Sequence, residues 1–265
     1  MPKTTVNGVD LYYECHGKGQ PLMLVAGLAS DSQSWLPMLD ALSQHYLVIL
    51  PDNRGAGRTE PQDTENSIRH MADDCMALLD HLQLPSAALL GHSMGGFVAQ
   101  DCAIRYPARV SRLILAATAP FNSERNNILF RDWVSYLKSG MNPEQWFRNL
   151  YYWILSRHFF TDRNKLADAL QFALNYPYPQ SETAFEKQVE AIAAFNCRNK
   201  LADIQAETLI ICGKEDQLFP PEDSIRILQA IRNSSVRVIE DVAHSIPMES
   251  PGALADCILQ FLDKG

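Results

Sequence analysis

Uninterrupted apolar runs recur along the chain and alternate with stretches of helical periodicity. Pro21–Ala26 and Tyr46–Leu50 are apolar at almost every position, as in strands that are covered on both faces. Ser67–Gln83 instead has apolar side chains three and four residues apart, which is the spacing of one helix face. The same inspection predicts further strands at Thr4–Val6, Leu11–Glu14, Ala87–Leu90, Arg112–Ala117, Thr208–Cys212 and Val236–Ile239, and further helices at Ser34–Gln44, Met94–Tyr106, Pro221–Ile231 and Gly252–Leu262.

The alternation of strands and helices predicts an α/β fold. Parallel neighbours need a long crossover, usually a helix, so we expect a mostly parallel sheet of about eight strands with helices on both faces. Asn7-Gly8 is a local exception, because this dipeptide favours a tight antiparallel hairpin. In such sheets ligands bind at the carboxyl ends of the strands. Functional residues should therefore follow the strands directly.

Residues 121–197 break the alternation. They contain no buried-strand run and are typical of four helices, at roughly 126–139, 143–158, 162–175 and 181–196, and they hold 16 of the 24 aromatic residues. One interpretation is a small helical subdomain that packs its own aromatic side chains. The other is a lid over a site at the strand ends. The position between two strand ends favours a lid, which gives a core of 1–120 and 198–265 with a helical cap at 121–197.

Composition and charge narrow the class of protein. With 46% apolar and 20% charged residues, the chain has the composition of a globular domain. The net charge of −8 and the lack of a basic block argue against a nucleic-acid partner. The first residues lack the pattern of a signal peptide, and no apolar run approaches the ~20 residues of a membrane span. The six cysteines form no Cys-x-x-Cys pair. We expect a cytoplasmic protein without a membrane partner, and a homo-oligomer is left open.

The run Gly91-His92-Ser93-Met94-Gly95-Gly96 is the sharpest chemical signal. It follows a predicted strand and opens a predicted helix. A serine on so tight a turn has an exposed hydroxyl and a strained backbone, and its neighbours must be small because other backbone passes close to them. Ser93 is therefore the candidate nucleophile.

A serine hydroxyl needs a base, because it is a poor nucleophile at neutral pH. His244 lies in the loop after the last predicted strand, at a carboxyl end from which it could reach Ser93. His92 precedes Ser93, so its side chain is expected to point away from the serine. The other histidines lack such a position and are expected on the surface or in ordinary hydrogen bonds: His16, His45, His70, His81 and His158.

The base in turn needs a carboxylate that fixes its tautomer. Asp216 follows strand Thr208–Cys212 and precedes a helix, which makes it the favoured acid. Glu215 and Asp223 are rivals, although Asp223 could simply stabilise the first turn of its own helix.

An oxyanion intermediate needs two hydrogen-bond donors. The Met94 N–H, at the start of a helix, is one candidate. The other is the Leu28 N–H, because Gly27 lets the chain turn sharply after strand Pro21–Ala26 and leaves that group pointing inward.

Together these motifs resemble the α/β-hydrolase superfamily over the whole chain. The order Ser93, Asp216, His244 matches, and so do the segment from Asp52 to Thr59 and the G-x-x-D-x-x-x-P segment that ends at Pro220. Two departures are Ala26, where many members carry a histidine that supports the oxyanion loop, and Thr59 in place of a serine.

The resemblance implies a serine hydrolase of esters or lactones that forms an acyl-enzyme. Met71–Pro120 is similar to 3-oxoadipate enol-lactonases and small carboxylesterases. Such lactones carry carboxylates and would need a basic lid group, for which the candidates are Arg125, Arg131, Arg148, Arg157 and Arg163. A C–C bond hydrolase with the same triad remains an alternative, as does a ligand-binding signalling module with a slow or vestigial site.

No cofactor or metal is predicted. Gly55-Ala56-Gly57 lacks the third glycine of a dinucleotide site, and there is no Walker loop and no His-Glu-x-x-His. Asp73-Asp74 is expected on a solvated helix face. The expected partner is therefore a small ester or lactone substrate alone.

Overall fold

An eight-stranded sheet forms the centre of the structure, a computed structural model that describes residues 2–263. The strands are β1 Lys3–Val6, β2 Val9–His16, β3 Gln20–Val25, β4 Tyr46–Pro51, β5 Ala87–His92, β6 Val110–Ala116, β7 Glu207–Gly213 and β8 Ser234–Ile239. Their order across the sheet is β1-β2-β4-β3-β5-β6-β7-β8. Among the strand pairs within residues 2–263, β1–β2 and β2–β4 are antiparallel and the other five are parallel. The predicted fold class is confirmed.

The first two strands form the hairpin that Asn7-Gly8 predicts. Both residues have positive φ, 46° and 81°, which a two-residue turn between twisted strands requires and which asparagine and glycine tolerate. Val6 pairs with Val9 across the turn.

Helices cover both faces of the sheet. They are α1 Leu36–Ser43, α2 Ile68–His81, α3 Met94–Arg105, α4 Glu124–Lys138, α5 Pro143–Ile154, α6 Arg163–Leu174, α7 Glu182–Ala194, α8 Pro221–Leu228, α9 Ile246–Glu249 and α10 Pro251–Leu262. Successive strand residues point to opposite faces. Met23 and Leu89 accordingly pack with α2, α3 and α8, whereas Leu22 and Leu90 pack with α1 and α10. No helix within residues 2–263 is long and apolar enough to cross a membrane.

Helices α4–α7 are inserted between β6 and β7. The two ends of this insertion lie side by side, where Phe121 pairs with Asn196 and the Cys197 N–H donates to the Pro120 carbonyl at 2.9 Å. The four helices predicted for this segment are confirmed within a few residues. Phe130 and Trp133 share the apolar core of α3, so the segment packs directly on the sheet's helical layer. Its assignment as a separate cap domain stays a prediction.

Two details differ from the sequence-based expectations. Strand β8 is not covered on both faces: it lies at the sheet edge, and Val238 is 38% exposed. Asp74 is not solvated, because the Arg54 guanidinium donates to both of its carboxylate oxygens at 2.6 and 2.7 Å in the interior. Neither difference could be seen in the periodicity, since both depend on which elements become neighbours.

Candidate active site

Ser93 lies on the turn between β5 and α3, with φ 54° and ψ −119°. A side chain at either flanking glycine would collide with backbone: a Cβ on Gly91 would lie 2.1 Å from the Gly95 carbonyl oxygen, and one on Gly95 would lie 2.0 Å from that of Val25. The strained serine is therefore held by close backbone packing on both sides, as the glycine spacing predicts. The first turn of α3 begins directly after it.

Asp216 and His244 are joined by a hydrogen bond of 2.9 Å between Oδ2 and Nδ1. Both residues are buried. The other Asp216 oxygen, Oδ1, accepts the N–H groups of Leu218 and Phe219 at 2.8 and 2.9 Å. Three donors thus fix the carboxylate, and the carboxylate fixes the imidazole so that Nε2 is left to act as a base.

The two rival acids point elsewhere. Glu215 binds the exposed Arg157 guanidinium at 3.0 Å, and this hydrogen-bonded arginine lowers the pKa of the Glu215 carboxyl. Asp223 pairs with Arg226 on the surface of α8 at 2.8 Å. Of the three acids considered from the sequence, Asp216 is the one that contacts His244.

His92 links the serine turn to the loop that carries His244. It is the last residue of β5 and directly precedes Ser93, and its Nε2 is 2.8 Å from the His244 carbonyl oxygen. Within residues 2–263 no hydrogen bond joins the Ser93 hydroxyl to the His244 ring directly. Bonds of this kind are often long without substrate and tighten when substrate binds.

The two candidate oxyanion donors lie at the ends of adjacent strands, β3 and β5. Neither the Leu28 nor the Met94 N–H donates a hydrogen bond within residues 2–263, so both remain available to a ligand. Gly27 packs against the turn, because a Cβ there would come within 3.1 Å of the Ser93 Cβ. The loop that carries Leu28 therefore lies directly beside the serine.

With this geometry in view, comparison with known proteins identifies the family. A sequence model of the α/β hydrolase fold matches residues 20–251. The chain belongs to the α/β-hydrolase fold family. The resemblance inferred from the sequence is confirmed.

The similarity to known relatives extends over nearly the full chain. A protein of Azorhizobium caulinodans named as a candidate carbamate hydrolase, RutD, is 28% identical and covers 98% of both chains. The structure of a thermophilic esterase from Thermogutta terrifontis is 26% identical with a TM-score of 0.87, over 99% of this chain and 96% of that one. The enol-lactonase from Burkholderia xenovorans LB400 shares the fold at 22% identity and a TM-score of 0.89, over 99% and 100%. The family and these relatives support hydrolase activity.

The two departures from the superfamily pattern are accommodated locally. In place of support from a histidine at position 26, the Asn53 side-chain amide donates to the Ala26 carbonyl at 3.0 Å and holds the start of the loop that carries the candidate donor Leu28. The Thr59 hydroxyl donates to the Asp52 carbonyl at 2.6 Å and accepts the Tyr12 N–H at 3.0 Å. A serine hydroxyl would make the same two bonds.

His92 contacts the candidate base. Its ring packs against the His244 ring, with the centroids 5.1 Å apart. A carbonyl oxygen can only accept, so His92 carries its proton on Nε2 and donates it to the His244 carbonyl.

We expect His92 to make folding pH-dependent. Burial, with the neighbouring His244, lowers the pKa of His92 from 6.5 to about 4. Between these values the unfolded chain binds a proton that the folded chain does not. The stability that neutral His92 contributes is thus fully present above about pH 6.5 and is lost as the pH falls toward 4. Wild type loses unfolding free energy when the pH is lowered from about 7.5 to about 4.5. In His92→Gln this loss should be smaller by about 2 to 3 kcal/mol.

Urea unfolding of both proteins at the two pH values measures this difference. His45→Gln, at an exposed position, is the matched control for replacing a histidine. Equal losses in wild type and His92→Gln would contradict the assignment of a neutral His92 in the folded protein.

Thr118 is a further residue that the sequence analysis missed. Its hydroxyl donates to the Ser93 carbonyl at 2.8 Å, and a Cβ on Gly96 would lie 2.5 Å from its side chain. The extra glycine after the serine turn therefore makes room for Thr118, which lies just after β6 and supports the strained turn. The only sequence signal was Gly96 itself.

Proposed function

We propose that the protein is a serine hydrolase that cleaves a neutral, partly apolar carboxylic ester through an acyl-enzyme at Ser93. The observation that carries the proposal is the buried Asp216–His244 hydrogen bond beside the strained serine turn. An oriented base, a serine held on a helix N-terminus and two available N–H donors are the parts that acyl transfer requires.

In the first half-reaction the Ser93 Oγ attacks the ester carbonyl carbon while His244 Nε2 takes the hydroxyl proton. The Leu28 and Met94 N–H groups hold the negative oxygen that forms. His244 then returns the proton to the leaving alkoxide, and the C–O bond to the alcohol breaks. In the second half-reaction water attacks the acyl-enzyme with His244 again as the base, and Ser93 is released. Asp216 orients the imidazole and stabilises its charged form throughout.

The surroundings of the two oxyanion donors favour an apolar acyl group. Met94 belongs to an apolar cluster that also contains Phe219, and this cluster continues into Phe130 and Trp133 of α4. Leu28 packs against the same cluster. An acyl chain that extends from a carbonyl held here would contact side chains that cannot solvate a charge.

The arginines considered as carboxylate receptors support a neutral substrate too. All five are exposed: Arg125, Arg131, Arg148, Arg157 and Arg163. Arg148 pairs with Glu144 and Arg157 with Glu215, at 2.9 and 3.0 Å. These contacts already occupy two of the side chains that an anionic lactone would need.

A charge-matched pair of substrates tests this specificity. We expect p-nitrophenyl butyrate to be hydrolysed with a kcat/KM at least about 100-fold higher than p-nitrophenyl hemisuccinate, which is similar in length but carries a carboxylate. Burying an unpaired carboxylate costs several kcal/mol, and about 2.7 kcal/mol corresponds to 100-fold. The two esters share their leaving group, so the ratio reports on the acyl side alone. Equal rates, or a preference for the hemisuccinate, would contradict a neutral acyl site.

A carbamate is the second candidate substrate, and the relative named as a candidate carbamate hydrolase favours it. The same serine chemistry applies, because a carbamate also presents an acyl carbonyl with an oxygen leaving group. Including p-nitrophenyl N-methylcarbamate in the assay distinguishes the two. A kcat/KM above that of the butyrate ester would assign the protein to carbamates. No turnover of any member of the panel would favour the C–C hydrolase or the ligand-binding alternative.

A further inference from the structure

The chain between α5 and α6 contacts both loops that carry the proposed base and acid. Residues 154–157, here called the bridging segment, lie where helix α5 ends. The Ser245 N–H donates to the Ile154 carbonyl at 2.9 Å. On the acid side, the Arg157 N–H and guanidinium both bind the Glu215 carboxylate, at 3.0 Å. The bridging segment thus contacts the residues next to His244 and Asp216, in addition to the lid role predicted for the inserted helices.

Glu249 joins the bridging segment to the other side of His244. Its Oε1 accepts the Ala243 N–H at 2.9 Å, and its Oε2 accepts the Ser156 N–H at 2.8 Å. Ala243 and Ser245 flank His244 directly. Both backbone N–H groups next to the base are therefore tied to the bridging segment, one through Glu249 and one to Ile154.

We infer that Glu249 is a positioning residue for His244: it fixes the backbone next to the base relative to the bridging segment of the inserted helices. This inference rests on the proposed function, since it concerns the base of that reaction. His244 is then fixed by four contacts: Asp216 at Nδ1, His92 at its carbonyl oxygen, and the two tied N–H groups on either side.

The geometry explains why a glutamate stands at this position. The Ala243 and Ser156 N–H groups approach different oxygens of one side chain, and a carboxylate presents two acceptor oxygens where an amide presents one. Burial raises the pKa of the Glu249 carboxyl, while the bonds from Ser156 and Ala243 favour its ionised form. Glutamine keeps one acceptor and presents an NH₂ group to the other N–H, which opens that contact.

Glu249→Gln tests the inference. We expect kcat for p-nitrophenyl butyrate to fall about 10-fold with KM changed less than about 2-fold, because the base is displaced while the acyl site is untouched. Phosphonylation of Ser93 by a p-nitrophenyl alkylphosphonate should slow by the same factor. Glu240→Gln, which removes an exposed carboxylate just after β8, is the matched control and should leave both rates unchanged.

A proton NMR measurement separates this inference from the proposed function, because it does not depend on turnover. The His244 Nδ1 proton in the bond to Asp216 should give a low-field resonance in wild type, which Asp216→Asn removes. In Glu249→Gln this resonance should exchange faster with water. If Glu249→Gln does not fold, Glu249→Asp, which keeps two acceptor oxygens on a shorter side chain, tests the same two contacts and should lower kcat by at least about 3-fold.

Unchanged kcat and an unchanged low-field resonance in folded Glu249→Gln would overturn the inference even if wild type hydrolyses esters. A wild type that hydrolyses nothing would instead overturn the proposed function. In that case faster exchange of the resonance in Glu249→Gln would still support the positioning role.

Discussion

Ser93→Ala is expected to reduce ester hydrolysis by about 10⁵- to 10⁶-fold, which is the scale of removing a triad serine. The residual rate would come from the Leu28 and Met94 donors and from substrate binding, which the substitution leaves in place. Alanine fits the turn as well as serine does, because the Ser93 N–H and carbonyl, rather than its side chain, make the bonds to Ala116 and Thr118.

Steady-state kinetics with p-nitrophenyl butyrate measures the loss, and the unfolding midpoint in urea shows that the fold is intact. Ser111→Ala, at an exposed position of β6, is the matched control and should retain full activity. A folded Ser93→Ala protein with more than about a tenth of the wild-type rate would rule out Ser93 as the nucleophile.

Asp216→Asn has the second largest expected effect, a loss of about 10⁴-fold in kcat. Oδ1 is held by the Leu218 and Phe219 N–H groups, so the amide oxygen of asparagine must occupy that position. The amide NH₂ group then faces His244 Nδ1, which has to accept a hydrogen bond. The proton of the neutral ring moves to Nε2, and the atom that should take the serine proton can no longer do so.

The rival acids provide the controls for this prediction. Glu215→Gln and Asp223→Asn should each change kcat less than about 3-fold, because their carboxylates bind Arg157 and Arg226 rather than His244. A loss of about 10⁴-fold in either control, with a mild effect of Asp216→Asn, would reassign the acid.

The sequence predicted those features that depend on local chemistry. The strands of the sheet interior are apolar runs, the hairpin follows from Asn7-Gly8, and the serine turn follows from glycines whose replacement would collide with backbone. The sequence alone could place Ser93, Asp216 and His244 in one site, because each residue follows a strand and the carboxyl ends of parallel strands meet at one edge of the sheet.

The features that the sequence did not predict depend on contacts between distant segments. His92, Thr118 and Glu249 act through hydrogen bonds to backbone groups, and a backbone group leaves no signature in the side-chain pattern. The burial of Asp74 depends in the same way on Arg54 reaching across from another loop. Helix α9 is a single turn, too short for a periodic pattern.

The central claim is that Ser93 forms a covalent acyl-enzyme, and trapping that bond tests it most directly. A p-nitrophenyl alkylphosphonate reacts with an activated serine: the Oγ–P bond forms, p-nitrophenolate leaves, and His244 takes the hydroxyl proton. Mass spectrometry of the intact chain and of its peptides then locates the adduct. We predict one phosphonyl group per chain, on the peptide that contains Ser93, and none in Ser93→Ala. An adduct on another residue, or labelling of Ser93→Ala at the wild-type rate, would contradict the account.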